Sequence, residues 1–429
     1  MIARQLISEL KSQPVITWVS VTGTAFAMFL IMLVVMLNQV NVAPIAPESN
    51  RNRLLYVSAM RASSTDPDSH YMSSSSLGMP VVNRVFGNLT TPERVSVFTK
   101  WNEEKNVSVP GVTGFTADTK ATDDDYFRIY NFRFLAGSPY DSADVSSHLR
   151  KAVITETIAR TLFNSAENAI GKDMYINDIA YNVCGVVKDV SPVTAKAYSQ
   201  IWTPLAEQTY NEWSEKWGVG QYTVAMLAHK GQPLTEITDE VNDNLSKYNA
   251  YKAADGIETD FNGGPYTEEG DRAQGGSNVP ADLPKEHRNK LIVYTVLLLI
   301  PAINLSSMTR SRLACRTCEI GVRRAFGATR LSIILSVLME NMLITLAGGL
   351  AGLAMACVFG SLMFDTIYSA GSFASYNTVV SLGTDTLLSW STFAYALLFC
   401  FILNLLSTGV PAWRASRTNP VEALAAKTR

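Results

Sequence analysis

The chain has 429 residues, a formal net charge of −2, 47% apolar residues and only 17% charged ones. An ordinary soluble domain carries about 25% charged residues, and the balanced charge excludes the basic surface that nucleic acid requires. Stretches of apolar sequence alternate with one long polar stretch, so membrane segments joined to a polar domain are implied.

Residues 1–14 form a short N-terminal segment, followed by an apolar stretch at 15–37, and no charge occurs between Lys11 and Glu48. About 20 apolar residues cross the hydrocarbon core of a bilayer. The apolar run is longer than the core of a signal peptide and no cleavage site follows it, which predicts a retained transmembrane helix.

Residues 38–288 are predicted to be an α+β domain. Residues 51–61 read as a strand through Leu55 and Val57, and the serine-rich residues 58–78 as an exposed loop. Residues 152–163 pass from a short strand into a helix. Met174 to Val187 alternates around Asn177-Asp178, which marks a hairpin. Leu234, Ile237, Val241, Leu245 and Tyr248 follow helical spacing. The glycines and prolines of residues 256–284 read as a flexible connection. His70, His148, His229 and His287 lie too far apart in sequence to suggest a metal site. No nucleophile, metalloprotease or paired-carboxylate pattern occurs, so neither catalytic nor metal-binding residues are assigned. Asp123-Asp124-Asp125 reads as a solvated turn in preference to a cation site. Cys184 is the one cysteine of this stretch and cannot form a disulfide within it.

Three further spans are predicted at 291–309, 331–364 and 387–410. The segment 310–330 between the first two of these holds Arg310, Arg312, Arg316, Arg323, Arg324 and Arg330 against a single acid, Glu319. The loop at 365–386 has Asp365 and Asp385 and no basic residue. The tail at 411–429 is basic again. Basic loops stay on the cytoplasmic side, so both termini and residues 310–330 are expected inside and residues 38–288 outside. Trp18, Trp390 and Trp413 fall near span ends, where amphipathic rings anchor. Glu340 is expected at the headgroups, in preference to pairing with an arginine such as Arg310 or Arg312 during a conformational switch. Gly348, Gly352, Ala356 and Gly360 recur every four residues and put small side chains on one helix face for close helix packing, within the chain or with a second subunit. Cys315-x-x-Cys318 has no second pair to complete a zinc site.

The string Glu319-Ile320-Gly321-Val322-Arg323-Arg324-Ala325-Phe326-Gly327-Ala328 closely resembles the signature of the MacB/FtsX-type permeases of ABC transporters. The run Pro411-Ala412-Trp413-Arg414-Ala415-Ser416-Arg417, with Asn419-Pro420-Val421-Glu422-Ala423-Leu424, resembles the family's second signature. In the polar domain, Tyr126-Phe127, Phe134-Leu135-Ala136-Gly137, residues 152–163, Ile170-Gly171-Lys172 and Gly185-Val186-Val187 are similar to the MacB-type periplasmic core domain.

The resemblance implies a multi-pass protein of the bacterial inner membrane that transmits ATP-driven motion to its outer domain. It implies a cytoplasmic ATPase partner that carries ATP and Mg, and a second permease copy or paralogue in a dimer. An export system would add a periplasmic adaptor and an outer-membrane channel. Arg316, Glu319, Ile320, Gly321, Arg323, Arg324, Phe326 and Gly327 would contact the ATPase. No G-x-x-x-x-G-K-[ST] occurs and fourteen residues precede the first span, so the ATPase is expected on another polypeptide. Within the family, lipoprotein extraction and control of cell-wall hydrolases are alternatives to export. Outside it, the alternative is a membrane sensor or scaffold without transport.

Overall fold

A computed structural model describes residues 44–68, 71–205, 211–296 and 326–369, with helical residues scattered through 18–34 and at a few later positions. Within 330–369 the backbone is complete and part of the side chains is described. The chain divides into two compact units, one formed by residues 42–286 with 365–381 and the other by residues 1–41, 287–364 and 382–429.

The first unit contains fourteen strands among its described residues. In chain order they are β1 (Leu54–Val57), β2 (Met60–Ser64), β3 (Met72–Leu77), β4 (Arg94–Thr99), β5 (Glu103–Val109), β6 (Val112–Thr122) and β7 (Phe134–Gly137). They continue as β8 (Lys151–Thr155), β9 (Asp173–Ile176), β10 (Ile179–Val187), β11 (Ile201–Pro204), β12 (Val219–Gly220), β13 (Tyr222–Leu227) and β14 (Ile257–Asp260). The helices used below are α1 (Tyr126–Ile129), α2 (Glu156–Phe163), α3 (Leu234–Lys252), α4 (Glu268–Ala273) and α5 (Arg330–Ser369).

Strands β6, β5, β9, β10, β8 and β11 pair in succession, and β11 returns to β6 in parallel register with Ile201 opposite Thr119. Six strands therefore close a ring, which removes the unpaired edges that invite aggregation. The hairpin between β9 and β10 turns on Asn177 and Asp178, at φ 46° and 64°. Two left-handed residues in a two-residue loop match the twist of the strands. Val107, Ala117, Ile154, Val186 and Ile201 form a buried cluster with Ile158, Leu162 and Phe163 of α2.

The remaining strands follow the order β4-β13-β3-β2-β14, with β1 also on β13. All six residues of β13 are buried. Ile237, Val241 and Tyr248 of α3, the predicted helical stripe, join Val82, Val85, Phe86 and Phe261 in a second cluster. The outer edge of β14 is closed by one side chain. Asn249 accepts from Thr259 N–H at 2.9 Å and donates to Thr259 C=O at 2.8 Å, taking the place of a neighbouring strand. A third cluster is largely aromatic, with Phe98, Tyr126, Phe127, Tyr130, Tyr140 and Trp202. Its rings meet mostly edge to face, Tyr126 and Tyr130 at 4.7 Å and Phe132 and Trp202 at 5.1 Å.

Three expectations need correction. Residues 58–78 are largely two strands instead of an exposed loop, because β2 pairs with β3 and β3 pairs in turn with β12 and β13. Serine's turn preference yields to ladder hydrogen bonds on both sides, and Ser76 is buried. Residues 256–284 are no loose connection, since they supply β14, α4 and the buried Phe261, Asn262 and Glu268. Nor is 123–125 a solvated turn. Asp123 is half-buried and accepts from Ser96 Oγ and Val97 N at 2.6 Å and from Tyr126 N at 3.0 Å. Asp125 pairs with Arg94 at 2.7 Å and with Arg128 at 3.0 Å.

Burial pushes the Asp123 carboxyl up to about 7, against its hydrogen bonds. Between the unfolded value near 4 and about 7, the folded protein holds a proton that the unfolded chain has released. The contribution of Asp123 to stability therefore falls as pH rises through that window and is constant above it. Asp123→Asn removes this dependence. Chemical denaturation at pH 4 to 7 is expected to show the stability difference, native minus variant, falling by up to roughly 4 kcal/mol. A pH-independent difference would contradict the burial effect.

Candidate functional site

The basic segment is described at its C-terminal end. Val322 is helical, and Phe326 N–H donates to Val322 C=O at 3.1 Å. Phe326 is 88% exposed. Gly327 follows at φ +94° with open space around a Cβ position, so backbone conformation and not crowding demands glycine there. Thr329 then caps the next helix, its Oγ1 accepting from Ser332 N–H at 3.2 Å. Helix α5 runs 40 residues from that cap, about 60 Å at 1.5 Å per residue. An exposed aromatic side chain thus sits at a tight elbow that feeds one long helix. Arg316, Glu319, Ile320, Gly321, Arg323 and Arg324 lie outside the described residues, as do Pro411, Arg414, Arg417, Pro420, Glu422 and Leu424 of the C-terminal signature. The side chain of Glu340 does as well.

On α5, Gly348, Gly352 and Ala356 are buried. A Cβ at Gly352 would lie 2.6 Å from Ala25 O and 2.7 Å from Met28 Cβ, and one at Gly349 would lie 3.1 Å from Met28 Cε. Phe29 meets Phe359 edge to face at 5.5 Å. Helical residues of 18–34 therefore cross α5 at backbone contact over these small residues, within one chain. Gly360 belongs to the same helix, but its surroundings are not described. Among the described residues, no helix is long and apolar enough to cross a membrane.

The other concentration of charge lies in the first unit, with Glu48, Arg51, Lys120 and Glu268 buried and Arg272 at the surface. Glu48 accepts from Arg51 Nε at 2.7 Å and from the N–H groups of Lys196 and Ala197, both at 2.9 Å. Arg51 also donates to Val193 C=O at 3.2 Å, an acceptor it shares with Arg272 at 3.4 Å. Lys196 pairs with Asp271, which accepts from Ser58 as well. Arg272 pairs with Glu268 at 2.7 Å. Lys120 donates to Lys196 C=O at 2.8 Å, and Tyr126 donates to Lys196 and Ala197 C=O at 2.9 and 3.1 Å.

Burial, with Glu268 nearby, raises the Glu48 carboxyl despite Arg51. Burial alone would raise Asp271, yet Lys196 and Ser58 hold it low. Burial brings the Lys120 ammonium down to about 7. These residues carry no sequence motif. The one available signal was Glu48 as the first charge after 36 uncharged positions. Among the described residues no group of three or more His, Cys, Asp and Glu could hold a metal. Cys184 is a free, half-buried thiol pushed up to about 11 by burial.

Two of the three glycines of the outer-domain signature, Gly137 and Gly185, meet, whereas Gly171 faces open space. Gly137 on β7 lies opposite Gly185 on β10. A Cβ on Gly137 would run into Cys184 C=O, and one on Gly185 into Ser138 C=O.

Residues 17–244 match the MacB-like periplasmic core domain and residues 291–420 the FtsX-like permease C-terminal domain. The chain is 23% identical over 315 residues to the ABC transporter permease YknZ of Bacillus subtilis, covering 72% of this chain and 70% of that protein. It is 26% identical to the macrolide export ATP-binding/permease protein MacB of Burkholderia cenocepacia over 70% of this chain and 40% of that one. For the Escherichia coli MacB the identity is 25%, over 71% and 42%. The chain thus spans less than half the length of these MacB relatives. The crystallised periplasmic region of MacB from Actinobacillus actinomycetemcomitans aligns with 50% of this chain and 91% of that one, at 16% identity and a TM-score of 0.32.

The helix crossing at Gly352 yields a direct test. Gly352→Leu should destabilise the purified protein by about 1–3 kcal/mol in detergent unfolding, because the side chain must displace backbone. Ala354→Leu, at an exposed position of the same helix, should change stability by no more than about 0.5 kcal/mol. Equal effects at the two positions would contradict the crossing.

Proposed function

Given that this chain belongs to the MacB/FtsX-type permeases of ABC transporters, and is therefore a membrane permease with a large extracytoplasmic domain, we propose that it is the non-catalytic half of an exporter driven by a separate ATPase. ATP and Mg bind to that cytoplasmic partner. Closure of the ATPase moves residues 310–330, and the helices pass the motion to the outer domain.

The elbow is the observation that carries this reading. Phe326 is apolar, almost fully exposed and set immediately before a left-handed glycine, and α5 starts within three residues of that turn. A side chain of that size left in solvent is suited to filling a partner's groove, and a continuous helix transmits displacement along its axis. Ile320 would fill the same groove. Arg316, Arg323 and Arg324 would meet ATPase carboxylates, with Glu319 orienting them. Gly321 and Gly327 would let the backbones approach.

The positive-inside pattern supports an inner-membrane protein with both termini and 310–330 in the cytoplasm. Four spans, at 15–37, 291–309, 331–364 and 387–410, belong to this proposal. So does a dimer with a second copy or a paralogue, which supplies two elbows for an ATPase dimer. The size of the outer domain, a closed ring joined to a second sheet region, favours export with an adaptor and an outer-membrane channel over hydrolase control or lipoprotein extraction.

Co-purification with the ATPase and measurement of its stimulated hydrolysis test the reading. Arg324→Glu combined with Gly327→Leu should abolish both association and stimulation while the permease still inserts. Unchanged association and stimulation would overturn the coupling role of the segment.

A further inference from the structure

The outer unit is joined to the membrane stretches at two places. Residues 44–53 continue from the first apolar stretch, and residues 266–273 precede the second by fewer than 20 positions. These segments are far apart in sequence but adjoin in the fold. Tyr56 and Tyr266 exchange backbone N–H···O bonds at 2.7 and 2.9 Å.

The buried charges converge on the same ground. Glu48 holds two N–H groups of the loop 190–200, Arg51 and Arg272 share Val193 C=O, and Lys196 of that loop reaches Asp271 on α4. Each of these contacts joins residues at least 75 positions apart. None is needed to form a local helix or hairpin, and a buried ion pair adds little net stability over an apolar replacement. What such a set does is fix an arrangement, because separating Glu48, Arg51, Lys196 or Asp271 from its partner strands a charge away from water, while Arg272 closes the set from the surface.

We propose that Glu48, Arg51, Lys196, Glu268, Asp271 and Arg272 form a clamp that locks the two membrane-linked ends of the outer domain to each other through loop 190–200. The two ends then move as one body. Lys120, on β6, holds the same loop by its carbonyls, and β11 follows it directly, so the clamp hands displacement to the closed ring. The inference rests on the coupling reading only for what drives the motion.

Hydrogen exchange on the full chain in lipid nanodiscs tests it without the ATPase. In the native protein, the amides of 44–53, 190–200 and 266–273 should exchange through one shared opening. Asp271→Asn, which keeps shape but removes charge, should speed all three segments together by about a hundredfold, leaving β5 and β9 unchanged. Glu48→Gln should give the same three-segment pattern. Acceleration confined to 266–273, or independent opening of 44–53 in the native protein, would overturn the clamp, and the second result needs no variant to fold.

A functional arm separates the two proposals. With the ATPase present, Asp271→Asn should retain association and hydrolysis but lose at least tenfold in ATP-driven change between spin labels on β5 and α3. A variant that keeps the native change overturns the clamp. A native protein that neither binds nor stimulates the ATPase overturns the coupling reading and leaves the exchange result to decide the clamp.

Discussion

A carboxylate cut off from water must meet positive charge and N–H donors or give up its own charge, and Glu48 is placed under that constraint where the chain enters its outer domain. Arg51 answers it from one helical turn away, and the backbone of Lys196 and Ala197 from the far side of the domain. The consequence reaches beyond the pair. Residues 190–200 are mostly buried although they form no strand, and a buried loop survives only if its carbonyls are met. Arg51, Arg272, Lys120 and Tyr126 supply the donors. Loop, aromatic cluster and returning helix therefore take the positions that these donors allow.

Local pattern made part of this architecture legible in advance. The Asn177-Asp178 hairpin, the strand-to-helix passage at 152–163 and the stripe on α3 each depend on residues close together in the chain, and each forms as expected. The serine strands β2 and β3 were hidden because their stability comes from partners as distant as β12 and β13. Ring closure was hidden for the same reason, since β6 and β11 meet across some 80 residues. At the candidate site, the spacing of Gly348, Gly352 and Ala356 showed a close-packing face, but its neighbour emerged only from the collision that a side chain at Gly352 would make with Ala25 and Met28. The charged base was the least legible feature. Glu48, Arg51 and Asp271 look like ordinary surface residues until burial removes the water.

Two kinds of rigidity follow from these contacts. In the membrane-associated unit, α5 is continuous from its Thr329 cap through 40 residues and is pinned where small side chains let another helix touch its backbone. In the outer unit, the ring has no free edge and its signature glycines, Gly137 and Gly185, admit backbone contact that any side chain would block. At Gly327 one left-handed residue stands between the Val322–Phe326 backbone bond and the start of α5. Stiff elements of this kind are what the proposed coupling role requires.

The sidedness of the elbow is the claim on which the coupling account turns. Labelling of Cys315 and Cys318 with a membrane-impermeant maleimide in spheroplasts tests it most directly, with Trp101→Cys, at an exposed outer position, as the positive control. The account predicts that the control is modified at once, whereas Cys315 and Cys318 react only after the membrane is permeabilised. Modification of either cysteine in intact spheroplasts would place the elbow on the wrong side of the bilayer and contradict the account.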